Sequence, residues 1–339
     1  MDWPDAHRIA MVAASYAHSD YKVDTTQRID IFSVIESAGL VLGFEPFPRL
    51  SGAYFAEPGA QPGVVVNANH PPSRQRYTAA HELGHHVLKH GTSVDPEIDS
   101  LLRWGGKNLP DIEKVAESFA AWFLMPRALV LKSLANLGIE RPTTAAQVYT
   151  LSLRLGTSFE ATARHLANLR LAHSVLVEQW LRVRPRDIKV QLARGVPLDD
   201  VYGDVWALAE RDHGQGFLIH PGDRLILALP EIPSSGFTWR VENTMSGCAV
   251  VHESYERARD NLWSNAGRAA RQGEIVAETV ERVFAVQISR ESVDETGALK
   301  FVKGQPWDPG AISATYSVRL AIEAQRLGVN EQALALTAA

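Results

Sequence analysis

The sequence predicts an α+β protein, with a largely helical first part built around a small β-sheet and an all-β sandwich after it. Three observations predict this. At 339 residues the chain exceeds one ordinary domain and points to two. Up to about Pro185, apolar residues recur mostly at spacings of three and four, as on helices. Beyond it, short apolar runs alternate with turn residues, as in a sandwich.

The elements follow in order. Residues 4–17 have helical spacing, and 29–39 form a second helix with Ile31, Val34, Ile35 and Ala38 on one face. Gly39 and Gly43 punctuate the chain. Residues 40–44 and 53–55 are short strands, and GVVVN at 63–67 is the clearest strand of this part. The loop His70-Pro71-Pro72-Ser73 introduces the helix RYTAAHELGHHVLKH, residues 76–90. Another helix runs from about Pro110 to Phe123 and stops at Met125-Pro126, because proline lacks a backbone donor and clashes with the preceding turn. Residues 143–170 form two helices around Gly156-Thr157-Ser158. In the second part the strand-like runs are 216–220, 225–229, 237–241, 249–253, 274–289, 299–302 and 314–322. Residues 324–336 read as a peripheral helix. The resulting divisions are 1–140, a helical extension 141–190, the sandwich 195–323 and a tail 324–339.

Hydrophobic residues make up 45% and charged residues 22%, the composition of a globular protein with a sizeable core. A net charge of −5 argues against a general nucleic-acid coat protein. The single cysteine, Cys248, excludes a disulfide framework and a multi-cysteine metal site within one chain. The start of the sequence lacks the basic and apolar regions of a signal peptide, and no apolar run approaches ~18 residues. The expectation is a cytoplasmic protein without a membrane span.

The chemistry centres on His81-Glu82-Leu83-Gly84-His85. His81 and His85 lie four apart, so a helix presents both from one face, one turn apart. Two such imidazoles can hold one Zn²⁺. In H-E-x-x-H sites the glutamate, here Glu82, takes a proton from the metal-bound water and returns it to the leaving amine. Gly84 leaves room on the helix. A catalytic zinc needs three protein ligands and an open position. The segment DIEKVAESFAAWFLMP offers Glu113 and Glu117, four apart on one face. One can bind metal while the other accepts the free N–H of a ligand histidine; the spacing does not say which. Against this stands the bland reading that both are solvated helix acids.

RYTAAHELGHHVLKH followed by IEKVAESFAAWFLMP resembles the ImmA/IrrE-type metallopeptidases, over about residues 25–175. The resemblance implies a zincin-like fold, one zinc per chain, Glu82 as catalytic base and Glu113 as the third ligand. The family's Asn or Asp four residues later is Glu117 here, a departure that leaves it a partner of a ligand histidine. His86 is turned about 100° from His85 and points away from the site, and His90 at the helix end suits the macrodipole. His70, in the preceding loop, and Tyr54, a candidate oxyanion donor, are pocket candidates. LSLRLGTSFEATARHL, with Arg154, Arg164 and Arg170 in and after it, has the grammar of a helix-turn-helix. Relatives of the family carry such an element here. The alternative, favoured by Glu160, is a scaffold packing Leu151, Leu155, Phe159, Ala163 and Leu166.

LPEIPSSGFTWRVE (229–242) and FVKGQPWDPG resemble the chagasin-like protease-inhibitor domains, over about residues 197–323. That family is an immunoglobulin-like sandwich with recognition loops at one end. The matching positions are Pro233, Ser234, Ser235, Gly236 and Phe237 in one loop, and Pro306 and Trp307 in another. The family's Asn and Arg are replaced by Ile232 and Gln305, which argues against inhibition of a cysteine protease. The family's intermediate loop is not recognisable; NLWSNAGRAARQGE stands near its place. Trp239 is expected in the core and Trp307 partly exposed.

The sequence therefore points to a zinc-dependent endopeptidase. The resemblance implies that it cuts a helix-turn-helix repressor in a stress or mobile-element response, with the second domain serving substrate recognition or autoinhibition. Two other readings stay open: a metal-containing binding module with little proteolysis, and a DNA-binding regulator acting through residues 150–170.

Overall fold

The structure, a computed structural model, describes residues 1–96, 109–198, 200, 202–257, 280–292 and 294–329. The chain is α+β and divides into two compact units, each discontinuous in sequence. The first comprises Met1–Ser133, Leu155–Val177 and Gln325–Ala339; the second comprises Leu134–Arg154 and Glu178–Ala324.

In the first unit, α1 (Trp3–Asp20) is capped by the Asp2 carboxylate and buries Ala6, Ala10, Ala14 and Ala17. This alanine stripe lets it pack closely on α4 (Asp111–Leu124). The helix α2 (Ile31–Ser37) is capped by Asp30 and leads into β1 (Val41–Glu45). The strands β2 (Leu50–Phe55), β3 (Gly63–Asn67), β4 (Ser93–Pro96) and β13 (Gly328–Val329) complete a sheet of order β13-β1-β3-β2-β4. Only β1 and β3 run parallel in it. The helix α3 (Pro72–Val87) packs on β2 and β3, and α4 packs on α3. Buried Arg76 ties α3 to the carbonyls of Ile29 (2.7 Å) and Gly156 (3.1 Å).

Two strands here differ from the expectation. The four residues of β4 expose Val94 and bury Asp95, the inverse of an amphipathic strand, so no alternation announces it. Gly328 and Val329 pair with Phe44 and Gly43 on β1, where a helical tail is expected. Residues from 330 onward lie outside the described residues. By contact, residues 325–329 fall in the first unit, and residues 141–190 divide between the two units.

The helix α7 (Phe159–Asn168) also belongs to the first unit. Its His165 is 1% exposed, and Nε2 donates to the Met125 carbonyl at 3.1 Å. Burial, against the effect of that bond, pushes its pKa down to about 3. The unfolded chain takes up this proton below about pH 6.5, the folded chain only near 3. Stability therefore falls with decreasing pH across that window, by up to ~1.4 kcal/mol per pH unit. His165→Gln should remove this slope in urea titrations of the first unit between about pH 6 and 4. Identical slopes in the two proteins would show that His165 is not held neutral.

The second unit is a sandwich. One sheet has the order β5-β7-β10-β9, from Val205–Ala209, Arg224–Glu231, Val280–Ile288 and Cys248–Arg257. The other has the order β6-β12-β11-β8, from Gly216–Ile219, Asp308–Ile322, Thr296–Gln305 and Thr238–Asn243. Alternate residues such as Leu225, Leu227 and Leu229, or Phe284, Val286 and Ile288, fill one core with Trp206, Trp239, Phe301 and Tyr316. The helix α6 (Ala145–Leu155) joins this unit through Tyr149 Oη, which donates to Asp204 at 2.7 Å. The stretch NLWSNAGRAARQGE lies outside the described residues. No single described helix is long and apolar enough to cross a membrane; α4 and α5 (Arg127–Asn136) pass by length and composition only as a bent pair.

Candidate metal centre and its surroundings

The helix α3 presents His81 and His85 from one face, and α4 presents Glu113 and Glu117 toward them. His81 Nε2 lies 3.2 Å from His85 Nε2 and 3.2 Å from Glu113 Oε2. His85 Nε2 lies 3.6 Å from the same oxygen. A tetrahedral zinc with ligand bonds of about 2.0–2.1 Å requires donor–donor edges of ~3.3 Å. The three edges fit that size, and a mixed nitrogen and carboxylate donor set is one that zinc accepts. The three residues form a group that could hold a metal ion.

Each side chain of the triangle has a further partner. His81 Nδ1 lies 3.4 Å from Glu117 Oε2. His85 Nδ1 lies 3.0 Å from His90 Nδ1. Glu113 Oε1 accepts from Ser93 Oγ at 3.1 Å. Burial alone would lower the pKa of His81, but hydrogen bonds that it donates to Glu113 and Glu117, with the charges of Asp95 and Glu82, raise it well above its usual value. Burial would raise Glu113, but His81 and His85 hold it well below the usual carboxylate range. Burial lowers His85, partly offset by Glu113.

Glu82 is fully buried. The β2 position facing it is Gly52, where a Cβ would come within 3.0 Å of Glu82 Oε1 and 2.5 Å of Thr78 Cγ2. Gly84 is needed for a similar reason: a Cβ there would lie 3.0 Å from the Phe119 ring on α4. Asp95 on β4, 4% exposed, groups with His81 and Glu82, their donor atoms all within 4.8 Å.

Tyr54, the candidate oxyanion donor, is buried on β2. Its hydroxyl pairs with His86 Nδ1 at 2.9 Å, because Tyr54 sits two residues beyond Gly52 and meets the next turn of α3. His86 thus points away from the triangle, as its angular offset predicts. His70 is buried in its loop, and its carbonyl accepts from Gln325 Nε2 at 2.6 Å. The donor groups that converge on the metal centre, among the described residues, do not include it.

Two of the three arginines of the middle helices pair with acids. Arg154 binds Asp212 at 2.7 Å, and Arg164 binds Glu160 at 2.8 Å. In the second unit, Pro233–Ser235 form a 3-10 turn closed by Gly236 at φ +73°. A Cβ on Gly236 would lie 2.8 Å from Trp307 Cη2, so the two expected loops lie side by side. Trp307 is 71% exposed and Trp239 is 4% exposed.

Sequence reasoning missed Ser93, Asp95 and the contact of His90 with His85. Ser93 and Asp95 lie on a strand with no apolar alternation, and nothing in the spacing of His90 marks a return toward His85.

A search of curated proteins gave no match. Three solved structures resemble the C-terminal part of the chain, each covering about a third of it. The cysteine protease inhibitor EhICP2 from Entamoeba histolytica is 15% identical, covers 36% of this chain and 98% of its own, and gives a TM-score of 0.29. Amebosin is 16% identical, with coverages of 35% and 98% and a TM-score of 0.26. PbICP-C, from its complex with falcipain-2, is 9% identical, with coverages of 36% and 100% and a TM-score of 0.21. Residues 35–167, which hold the whole triangle, match the family model Peptidase_M78, the IrrE N-terminal-like domain, so this part of the chain is similar to a family of metallopeptidases.

Proposed function

We propose that the protein is a cytoplasmic zinc-dependent endopeptidase that cuts a helix-turn-helix repressor, and that its sandwich loops recognise protein. The observation that carries the reading is the triangle of His81 Nε2, His85 Nε2 and Glu113 Oε2, with edges of zinc-site length. A divalent cation held there by His81, His85 and Glu113 would polarise a peptide carbonyl and lower the pKa of water to roughly 7. Glu82 is the proton carrier: it takes a proton from the attacking water and delivers it to the leaving amine nitrogen. Glu117 keeps the His81 ring in place through Nδ1. The strand β4 ends the sheet and, among the described residues, pairs only with β2. Its outer backbone can take an extended peptide as an added strand.

The test measures metal and cleavage together. The purified protein should carry one zinc per chain and cut a helix-turn-helix repressor encoded beside it, while His81→Ala should lose both. Full zinc occupancy in His81→Ala overturns the ligand assignment; a metal-loaded wild type that leaves such a repressor intact overturns the substrate.

The loops have a separate test. Aromatic anchors at a protein interface can each carry roughly 2 kcal/mol, or more than tenfold in affinity. Replacing Phe237 and Trp307 together by Ala should change the cleavage rate about tenfold or more at constant zinc content. A loss assigns them to recruitment and a gain to restraint; an unaltered rate shows that the loops take no part.

A further inference from the structure

We propose that the short connection from Leu88 to Ser93 aims two of the three metal ligands, with His90 and Ser93 as positioning residues. The proposal rests on the reading of His81, His85 and Glu113 as ligands.

The connection starts where α3 stops. Leu88 caps the helix, and Lys89 takes a left-handed φ of 56°, which is uncommon for a residue with a side chain and reverses the chain. The His90 N–H then donates to the His85 carbonyl at 2.9 Å, which brings its ring back against the His85 ring. The two ring centroids are 5.0 Å apart, and the Nδ1 atoms lie 3.0 Å apart. Two nitrogens at that distance share one proton. An imidazole that offers its Nε2 lone pair to a cation carries its proton on Nδ1. His85 is therefore the donor and His90 Nδ1 the acceptor, so His90 carries its own proton on Nε2. His90 thus fixes the tautomer that leaves His85 Nε2 open toward the triangle.

Ser93 acts on the other ligand. Its hydroxyl donates to Glu113 Oε1 at 3.1 Å, while Glu113 Oε2 lies 3.2 Å from His81 Nε2. With one oxygen occupied, Glu113 offers the other alone. Ser93 opens β4, opposite Tyr54 on β2, so the edge strand and the third ligand share one residue.

The experiment is a chelator competition for zinc with His90→Ala, Ser93→Ala, His90→Asn, Ser93→Thr and His81→Ala. Each of the first two should bind zinc roughly 10- to 100-fold more weakly than wild type. Asn offers an acceptor near the Nδ1 position and Thr keeps the hydroxyl, so both should recover most of the affinity. In the zinc-loaded wild type, ¹⁵N spectra should show His85 protonated on Nδ1 and His90 on Nε2. Wild-type affinity in both Ala variants, while His81→Ala loses zinc, overturns the proposal. So does a weakening that Asn and Thr leave unrepaired, which would mean lost packing. Zinc retained in His81→Ala instead removes the ligand assignment, and this proposal with it.

Discussion

Glu82→Gln should keep its zinc and lose cleavage by roughly 10²- to 10⁴-fold, the contribution of a positioned general base. The amide has the shape of the carboxylate and lacks its proton affinity, and Glu82 is not part of the His81, His85 and Glu113 group. Gly52→Ala tests the same carboxylate from the opposite side. Its methyl group would meet Thr78 Cγ2, the Val65 carbonyl and Glu82 Oε1, all within 3.0 Å. The β2 backbone cannot yield without breaking its ladder to β3, so the Thr78 and Glu82 side chains must give way. Cleavage should fall in this variant too, with zinc content unchanged. Undiminished cleavage by Glu82→Gln would remove Glu82 from the chemistry, and a fully active Gly52→Ala would show that its position is not constrained.

Ending the chain at Ala324 should weaken a unit whose proposed metal ligands all lie before residue 126. Gln325 Nε2 donates to the carbonyls of Ala68 and His70. Gln75, 1% exposed, exchanges bonds with the Arg326 backbone at 3.2 and 3.4 Å. The Arg326 guanidinium lies 4.5 Å from the Phe32 ring centre, and β13 pairs with β1. At about 0.5–1.5 kcal/mol per hydrogen bond, the segment contributes a few kcal/mol. The melting temperature of the first unit should therefore drop on the order of 5–10 °C, and a peptide of residues 324–339 should restore part of it. A fragment of residues 1–190 should fold and bind metal with the same deficit. An unchanged melting temperature would show that the returning strand adds no stability.

The fold was legible where local pattern and tertiary role agree. The β3 strand GVVVN is buried in the middle of its sheet, and α3 and α4 run close to their expected spans. The sandwich was legible because Leu225, Leu227 and Leu229 alternate inward as a period of two requires. The strands β4, β5 and β13 were not. The first buries an acid, and the last has two residues held by long-range partners.

The sequence by itself placed the proposed reacting set. The i,i+4 spacing of a helix places His81 above His85 whatever surrounds them, and Glu82 is adjacent by covalent chemistry. Its spacing narrowed the proposed third ligand to Glu113 or Glu117 without choosing, because both lie on one helical face, and the family resemblance implied Glu113. Only the tertiary structure decided that Glu113 faces both Nε2 atoms while Glu117 reaches Nδ1 of His81. It alone gave Tyr54 to His86, brought His90 and Ser93 to the triangle, and returned residues 325–329 to the first sheet. The physical reason is the same in each case. Spacing within one helix is set by backbone geometry, whereas distances between helix, turn and edge strand are set by packing, and packing leaves no period in the sequence.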